Sequence, residues 1–295
     1  MPELPEVETI KRGLSKLIIN KQVAKVDFDT AKSFPNASAD VNRFLIGSKV
    51  KAISRRGKAL LVELSSGYTL IVHLRMTGQL VYNGGKVHFG AGHPSDSLIN
   101  LLPDNSTRAT ITFTDKSKLY FNDQRKFGWM RLHPSALISD IDFFRRLGPE
   151  PLAPGFGWQQ LATRLKTRPR SAVKAALLDQ SVLAGVGNIY ADESLWGAKI
   201  HPATIVMALS NEDFKALHTA LIKVLTLSIE RGGSTDRNYV DAEGKRGSYL
   251  EFASVFRRQN LPCPRCAATI IKTRVAGRGT HYCPQCQQVK QVSAA

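Results

Sequence analysis

The sequence is short of cysteine, of acidic side chains and of long apolar runs, and each shortage closes off a class of protein. Only four cysteines occur in 295 residues, all from position 263 onward. Glu3, Glu6 and Glu8 stand where a secretory signal would need a basic and then an apolar segment. A disulfide-stapled secreted scaffold is therefore not expected. No apolar stretch approaches the roughly 20 residues of a membrane span, and no basic amphipathic helix has the broad aromatic face of a membrane-surface anchor. Asp and Glu number 24 against 41 Lys and Arg, a net charge of +17 with a sequence pI near 9.9. Such an excess calls for a polyanionic partner, most simply nucleic acid. There is no internal repeat, low-complexity tract, coiled coil or evident apolar interface, so the expectation is a soluble, cytoplasmic, nucleoid-associated monomer with no membrane partner.

What is present begins at once, with Pro2-Glu3-Leu4-Pro5-Glu6-Val7. Removal of Met1 would leave Pro2 as a free secondary amine beside one carboxylate, with a second three residues on. A secondary amine can attack a sugar carbon and form an iminium. An α-amino group titrates at about 7.7–8.0, so much of it is nucleophilic near neutral pH. The same residues also fit an ordinary amphipathic helix entry, with Pro5 in the first turn, Glu6 and Glu8 behind it, and Ile10, Leu14 and Leu17 at helical spacing.

At the other end, Cys263-Pro-Arg-Cys266 and Cys283-Pro-Gln-Cys286 form two CxxC pairs. That spacing fits a zinc ribbon holding one tetrahedral Zn²⁺, closed and structural because all four thiolates go to the metal. Two disulfides or a redox pair are the competing readings.

Between these ends the hydrophobic period changes. Residues 22–80 and 109–121 read as short strands: Val23–Phe28, Val50–Ile53, Ala59–Leu64, Thr69–Leu74, Ala109–Phe113 and Lys118–Phe121, punctuated by glycines. They suggest a β-sandwich or barrel. Residues 85–107 read as a long exposed loop. Three prolines and three glycines between Leu147 and Gly157 read as a linker. Beyond it the period is helical over Trp158–Leu165, Ala172–Leu178, Asn188–Trp196 and Asn211–Ile229, and 232–249 reads as a polar loop. The expected architecture is α+β and multidomain: an N-terminal helix and β-sandwich over 1–146, a linker over 147–157, a helical domain over 158–252 and a zinc ribbon over 253–290.

In the helical part, Val182-Leu-Ala-Gly-Val-Gly-Asn188 places two glycines in a tight turn ahead of a helix opened by Asn188. Exposed N–H groups there can cradle a phosphate, with Asn188 donating alongside. Taken with Pro2-Glu3, Ser171–Gln180, Ala198-Lys-Ile-His-Pro202 and the cysteine pairs, the chain resembles the bacterial formamidopyrimidine-DNA glycosylase family. These are bifunctional base-excision enzymes with a helix–two-turn–helix DNA-binding module. The resemblance spans Pro2 to Cys286, and the start Pro-Glu-Leu-Pro-Glu is similar to the branch acting on oxidised purines.

The resemblance implies a role for each matching residue. Pro2 would attack C1′ of the lesion sugar, and Glu3 would be the general acid/base beside it, with Glu6 in electrostatic support. Lys58, in Ser54-Arg-Arg-Gly-Lys-Ala-Leu-Leu, would contact phosphate and assist β-elimination. Met76 would fill the gap left by an extruded base, while Arg125 and Phe127 would pair with the orphaned cytosine and wedge between bases. Without that context, Met76 and Phe127 read as core. Arg278, in Ala276-Gly-Arg-Gly-Thr-His-Tyr-Cys283, would grip phosphates and promote δ-elimination from a finger turn. Arg170 and Lys174 are further basic candidates for DNA contact. The partner implied is damaged double-stranded DNA, and the substrates are 8-oxoguanine and formamidopyrimidines.

The chain departs from the family in four places. Asn105-Ser-Thr-Arg-Ala replaces a histidine-bearing segment, leaving Arg108 as a substitute DNA contact. Asp-Gln-Arg-Lys-Phe-Gly replaces Asp-Pro-Arg-Arg-Phe-Gly and keeps the charge. Phe256-Arg257-Arg258 replaces aromatic-Gly-Arg, which would alter a turn. The loop 233–248, expected to close over the flipped purine, is the least family-like segment. The alternatives are an oxidised-pyrimidine glycosylase of the endonuclease VIII type and a non-catalytic lesion-binding protein.

Overall fold

The computed structural model describes residues 1–93, 95–234 and 249–292. The chain divides into two units: residues 1–145 with 229–248, and residues 146–228 with 249–295. The loop expected to cover a flipped base lies, from 235 to 248, outside the described residues.

The first unit opens with α1 (Leu4–Ile18), whose Leu4, Val7, Ile10, Leu14 and Ile18 fall on one face and are buried. Then come β1 (Val23–Phe28), α2 (Ser38–Phe44), β2 (Val50–Arg56), β3 (Ala59–Leu64), β4 (Tyr68–His73), β5 (Gly78–Asn83), β6 (His88–Gly92), β7 (Thr107–Phe113), β8 (Lys118–Asp123), β9 (Trp129–Pro134) and α3 (Asp142–Arg145). They make a five-stranded sheet ordered β1-β7-β8-β5-β6 and a four-stranded sheet ordered β2-β3-β4-β9, with every pairing antiparallel. One core of α1, β-strand and loop side chains, including Leu60, Val72, Leu80, Phe113 and Phe121, lies among these elements. Fully burying each such side chain is worth about 1.5–3 kcal/mol. This is the expected sandwich.

Residues 85–107 are not the expected exposed loop. They supply the edge strand β6, paired with β5, and a short 3-10 turn at Asp96–Leu98. Leu98 covers Val81 and Tyr120, which point away from the main core. The apolar signal there is thin because Gly90 and Gly92 stand where a strand pattern wants side chains. At Gly90 a Cβ would come within 3.2 Å of the Leu98 backbone.

Gly13 is a close-packing position inside α1. A Cβ there would run into the Phe89 ring, itself fully buried. Gly13→Ala should gain up to about 1 kcal/mol of helix propensity and lose about 1–3 kcal/mol to overpacking. The expected result in thermal melts is a lower Tm for Gly13→Ala, restored when Phe89 is shortened to Leu in the same chain.

The second unit carries α4 (Trp158–Lys166), α5 (Val173–Leu178), α6 (Asn188–Gly197), α7 (Asn211–Glu230) and α8 (Tyr249–Phe252), then the hairpin β10 (Ile271–Val275) and β11 (Arg278–Tyr282). Its helical core centres on Leu161, Leu177, Tyr190, Phe214 and Leu221. The Pro/Gly-rich segment 147–157 is seated rather than loose. Gly148 N–H donates to Gln180 O at 2.8 Å, Ala184 N–H donates to Pro149 O at 3.0 Å, and Phe156 joins the helical core. Among the described residues, no helix is long and apolar enough to cross a membrane.

Candidate active site and nucleic-acid interface

The chain start is built into the first unit by α1 itself. Glu3 is the N-cap, and a reciprocal capping box joins it to Glu6, whose Oε2 accepts the Glu3 N–H at 2.8 Å. Pro2 is buried, Glu3 is 4% exposed and Met1 lies half exposed outside them. The other Glu6 oxygen, Oε1, accepts the Ser234 N–H at 2.7 Å. Glu6 thus holds both the catalytic candidate Glu3 and the first residues of the loop after α7. Gly233, at φ +90 with Glu6 side-chain atoms 3.2 Å from where a Cβ would sit, allows that approach.

Lys58 sits in the tight β2–β3 turn, where Arg56 pairs with Ala59 and Gly57 takes φ +58. A glycine with positive φ at the first turn position is what a two-residue hairpin of this hand requires. Lys58 is buried, at 7% exposure. Its charge is felt by His73 at the end of β4. Burial first, then Arg75 and Lys58, push the His73 pKa down to about 3.

His73 has a mechanical task. Its Nδ1 accepts the Arg75 N–H at 3.1 Å and so holds the turn that presents Met76, where Arg75 takes φ +51. Only the neutral ring can accept that bond. With the folded pKa below the unfolded value of about 6.5, the unfolded chain binds more protons between the two. The contribution of His73 to stability is therefore complete above about pH 6.5 and is lost as pH falls towards 3. The loss at the acid end should be on the order of a few kcal/mol. In urea unfolding followed by hydrogen exchange in β4, His73→Asn, which keeps an acceptor but does not titrate, should flatten the stability slope below pH 6.5. An unchanged slope would refute this role.

The expected duplex probes do lie on the surface. Met76 is 40% and Phe127 46% exposed, against the core reading that their residue types invite. Arg125 is exposed too, with its guanidinium carbon 4.7 Å from the centre of the Phe127 ring. Two loops are tied together beneath them by Asp123, which is fully buried. Its carboxylate accepts from the Thr77 hydroxyl, from Arg125 N–H at 3.2 Å and from Gly128 N–H at 2.6 Å, while Arg125 N–H also reaches Thr77 Oγ1. Asp123 and Thr77 were not singled out by sequence. The signal available was an acidic residue two places ahead of Arg125, in position to accept the turn's own N–H groups. His93, also missed, follows the end of β6 and is half buried. Burial and the N-terminal ammonium lower its pKa, and Asp123 opposes them.

Two expected DNA contacts are corrected. Arg108 is 6% exposed, and each of its three guanidinium nitrogens has a partner. It donates to the carbonyls of Ser106 and Asp123 at 3.0 Å and also bonds Asp29 and the Asn105 carbonyl. Lys174 is fully buried within the second unit. Neither can meet a phosphate without breaking buried charge pairs, which is costly.

In the second unit Gly187 is the N-cap of α6 and Asn188 its first residue, as the phosphate cradle requires, with Gly185 at φ +85 in the turn before it. Arg170 is exposed in the turn between α4 and α5. At the position where the family pattern has glycine, Arg257 stands at φ +58, an arginine in a left-handed conformation. The turn is anchored by Glu193, whose buried carboxylate accepts the N–H groups of Ser254, Val255 and Phe256 at 2.8–2.9 Å. Arg278 is exposed at the first position of β11. Ala276 at φ +48 and Gly277 at φ +75 make the two-residue turn before it.

The four cysteines are free thiols whose sulfurs all lie within 4.8 Å of one another. Sulfur–sulfur edges of 3.3, 3.4 and 4.0 Å bracket the roughly 3.8 Å edge of a tetrahedron with Zn–S bonds near 2.3 Å. Burial and the neighbouring thiols push Cys286 up to about 12, a cost of crowded sulfurs that a bound cation would offset. Arg265 N–H and the Trp196 indole N–H both point at Cys263 Sγ. The residues fit one structural zinc held by Cys263, Cys266, Cys283 and Cys286.

Comparison with known proteins gives one answer along the chain. Family models match in three consecutive pieces: the formamidopyrimidine-DNA glycosylase N-terminal domain over residues 1–130, its H2TH domain over 147–239, and a zinc finger found in FPG and IleRS over 260–289. A formamidopyrimidine-DNA glycosylase of Ligilactobacillus salivarius is 40% identical over 290 residues, covering 98% of this chain and all of its own. Lactococcus lactis Fpg bound to DNA with an abasic site superposes with a TM-score of 0.84 at 32% identity, over 97% of this chain and 99% of that one. A variant of the same enzyme bound to DNA containing Fapy-dG gives 0.85 at 33%, over 97% and 100%. With these matches over nearly its whole length, the chain belongs to the formamidopyrimidine-DNA glycosylase family.

Proposed function

We propose that this protein excises oxidised purines from duplex DNA and then cuts the strand at the abasic site, using Pro2 as the nucleophile. The observation that carries the reading is the buried Pro2-Glu3 start, held at the mouth of α1 by the capping box with Glu6. A merely binding protein has no need of an N-terminal proline amine.

Once Met1 is removed, the Pro2 lone pair attacks C1′ and the glycosidic C–N bond breaks, with Glu3 delivering a proton as acid. Ring opening gives an iminium, which is the electron sink for both eliminations. Loss of a C2′ proton expels the 3′ phosphate, and a second elimination expels the 5′ phosphate. Lys58 and Arg278 stabilise the leaving phosphates as fixed cations. Hydrolysis of the iminium returns the amine. Met76, Arg125 and Phe127 hold the duplex open, and base flipping costs a few kcal/mol that this wedge offsets. Asn188, Arg170 and the finger add phosphate contacts, so affinity should fall steeply with salt.

The test is borohydride trapping on a duplex with one 8-oxoguanine opposite cytosine, beside undamaged and oxidised-pyrimidine duplexes. A covalent adduct with β,δ-cleaved product on the purine lesion supports the reading. An adduct only on the pyrimidine lesion moves the substrate to the endonuclease VIII type, and binding without adduct on any lesion refutes the lyase.

A further inference from the structure

We propose that Lys174 and Asp192 form a buried pin that sets the position of the hairpin carrying Arg278, making Lys174 a positioning residue for the phosphate grip. The proposal rests on the proposed function only in giving Arg278 its task on DNA.

Lys174 lies on α5 and Asp192 on α6, and both side chains are fully buried. The Lys174 ammonium donates to Gly279 O at 2.8 Å and to Thr280 Oγ1 at 2.8 Å, and it lies 2.6 Å from Asp192 Oδ1. Two of these contacts are hydrogen bonds to the hairpin and the third is an ion pair to α6, so the ammonium joins the two elements. Asp192 Oδ2 accepts the His281 N–H at 2.9 Å. Together the two side chains hold the three residues after Arg278. The Thr280 hydroxyl donates to the Arg278 carbonyl at 2.9 Å, which extends the chain of bonds to Arg278 itself.

The hairpin needs such a hold. It is a two-stranded sheet of five-residue strands, a size that is marginal alone. Zinc fixes the chain at Cys283, five residues from Arg278, and the strand between them is steered by the pin. A hydrophobic pair would fill the same space, but its contacts carry no direction. An ammonium held between a carboxylate and two hairpin oxygens gives β11 a directional anchor. That is the use for which buried ionic groups are best attested, specificity rather than stability.

The decisive variant is the double substitution Lys174→Met with Asp192→Leu, which removes the pin without leaving a lone buried charge. Thr280→Val is a milder second variant that removes one partner. All are measured as zinc-loaded full chains. The expected result is one zinc per chain and a Tm within a few degrees of the parent, with exchange of the His281 amide faster by on the order of 100-fold. On duplex with a preformed abasic site, borohydride trapping through Pro2 should stay within about twofold, while the ratio of δ- to β-elimination product falls on the order of tenfold. In an Arg278→Ala background the same substitutions should leave that ratio where Arg278→Ala alone puts it, because both act on one step. A double variant with native His281 protection and a native product ratio overturns the proposal. So does a loss of trapping that parallels the loss of δ-elimination, which marks general damage. If the parent chain does not cut abasic DNA, the proposed function fails, and the amide exchange still decides the pin.

Discussion

Pro2→Gly should reduce borohydride trapping on lesion DNA by on the order of 100-fold, at the low end of what a well-placed acid, base or nucleophile contributes. Glycine still offers an amine after Met1 is removed, so the argument turns on what that amine becomes. A proline nitrogen bonded to C1′ has no proton left to lose, and its iminium stays charged throughout both eliminations. A glycine nitrogen forms an imine that is charged only while protonated, so the electron sink is present for a fraction of the time. Glycine also removes the ring that seats Pro2 as a buried residue ahead of the N-cap. Affinity for an abasic duplex should change little, because Met76, Arg125, Phe127 and the finger are untouched. The measurement is the single-turnover trapping rate alongside the dissociation constant for an uncleavable abasic analogue. Parent-like trapping by Pro2→Gly would sink the nucleophile assignment. Intact mass should show Met1 absent in active protein, since in the full chain the Pro2 nitrogen is tied up in a peptide bond.

What could be read from the sequence is chemistry that needs a fixed spacing along the chain. The two CxxC pairs, the Pro2-Glu3 start, the Gly185–Asn188 turn and the strand periods of the first unit all carry their meaning within a few residues. What could not be read is chemistry set by partners far away in sequence. Arg108 and Lys174 read as surface cations because their partners are not the acidic residues nearest in the chain, Asp104 and Asp179. The partner of Arg108 is Asp29, 79 positions earlier, and Lys174 bonds hairpin residues more than a hundred positions later. The converse error would have placed Met76 and Phe127 in the core on residue type alone. Their exposure comes from the Asp123 clamp below them, which turns both loops outwards. The missed strand β6 has a third cause: its glycines make room for Leu98, and removing side chains erases the period that sequence reading depends on.

Cys283→Ser should have the largest effect on the second unit. Cys283 faces its three partner sulfurs and is buried from solvent, at the end of the hairpin that carries Arg278. Structural zinc sites contribute apparent binding free energies of about 10–16 kcal/mol that appear as folding free energy of the module. A serine hydroxyl at that position is a poor ligand, and three thiolates cannot close the tetrahedron. Zinc content should fall from one per chain to well under half. The duplex dissociation constant should rise on the order of 100-fold at moderate salt, with a shallower salt dependence because finger–phosphate contacts are lost. The helical core around Tyr190 and Leu221 has its own apolar packing and should survive, so the loss is confined to the module. Chelation of the parent protein should reproduce the change, and adding zinc back should reverse it only in the parent. Native zinc content with native affinity in Cys283→Ser would show that the finger holds its shape, and DNA, by some means other than the metal.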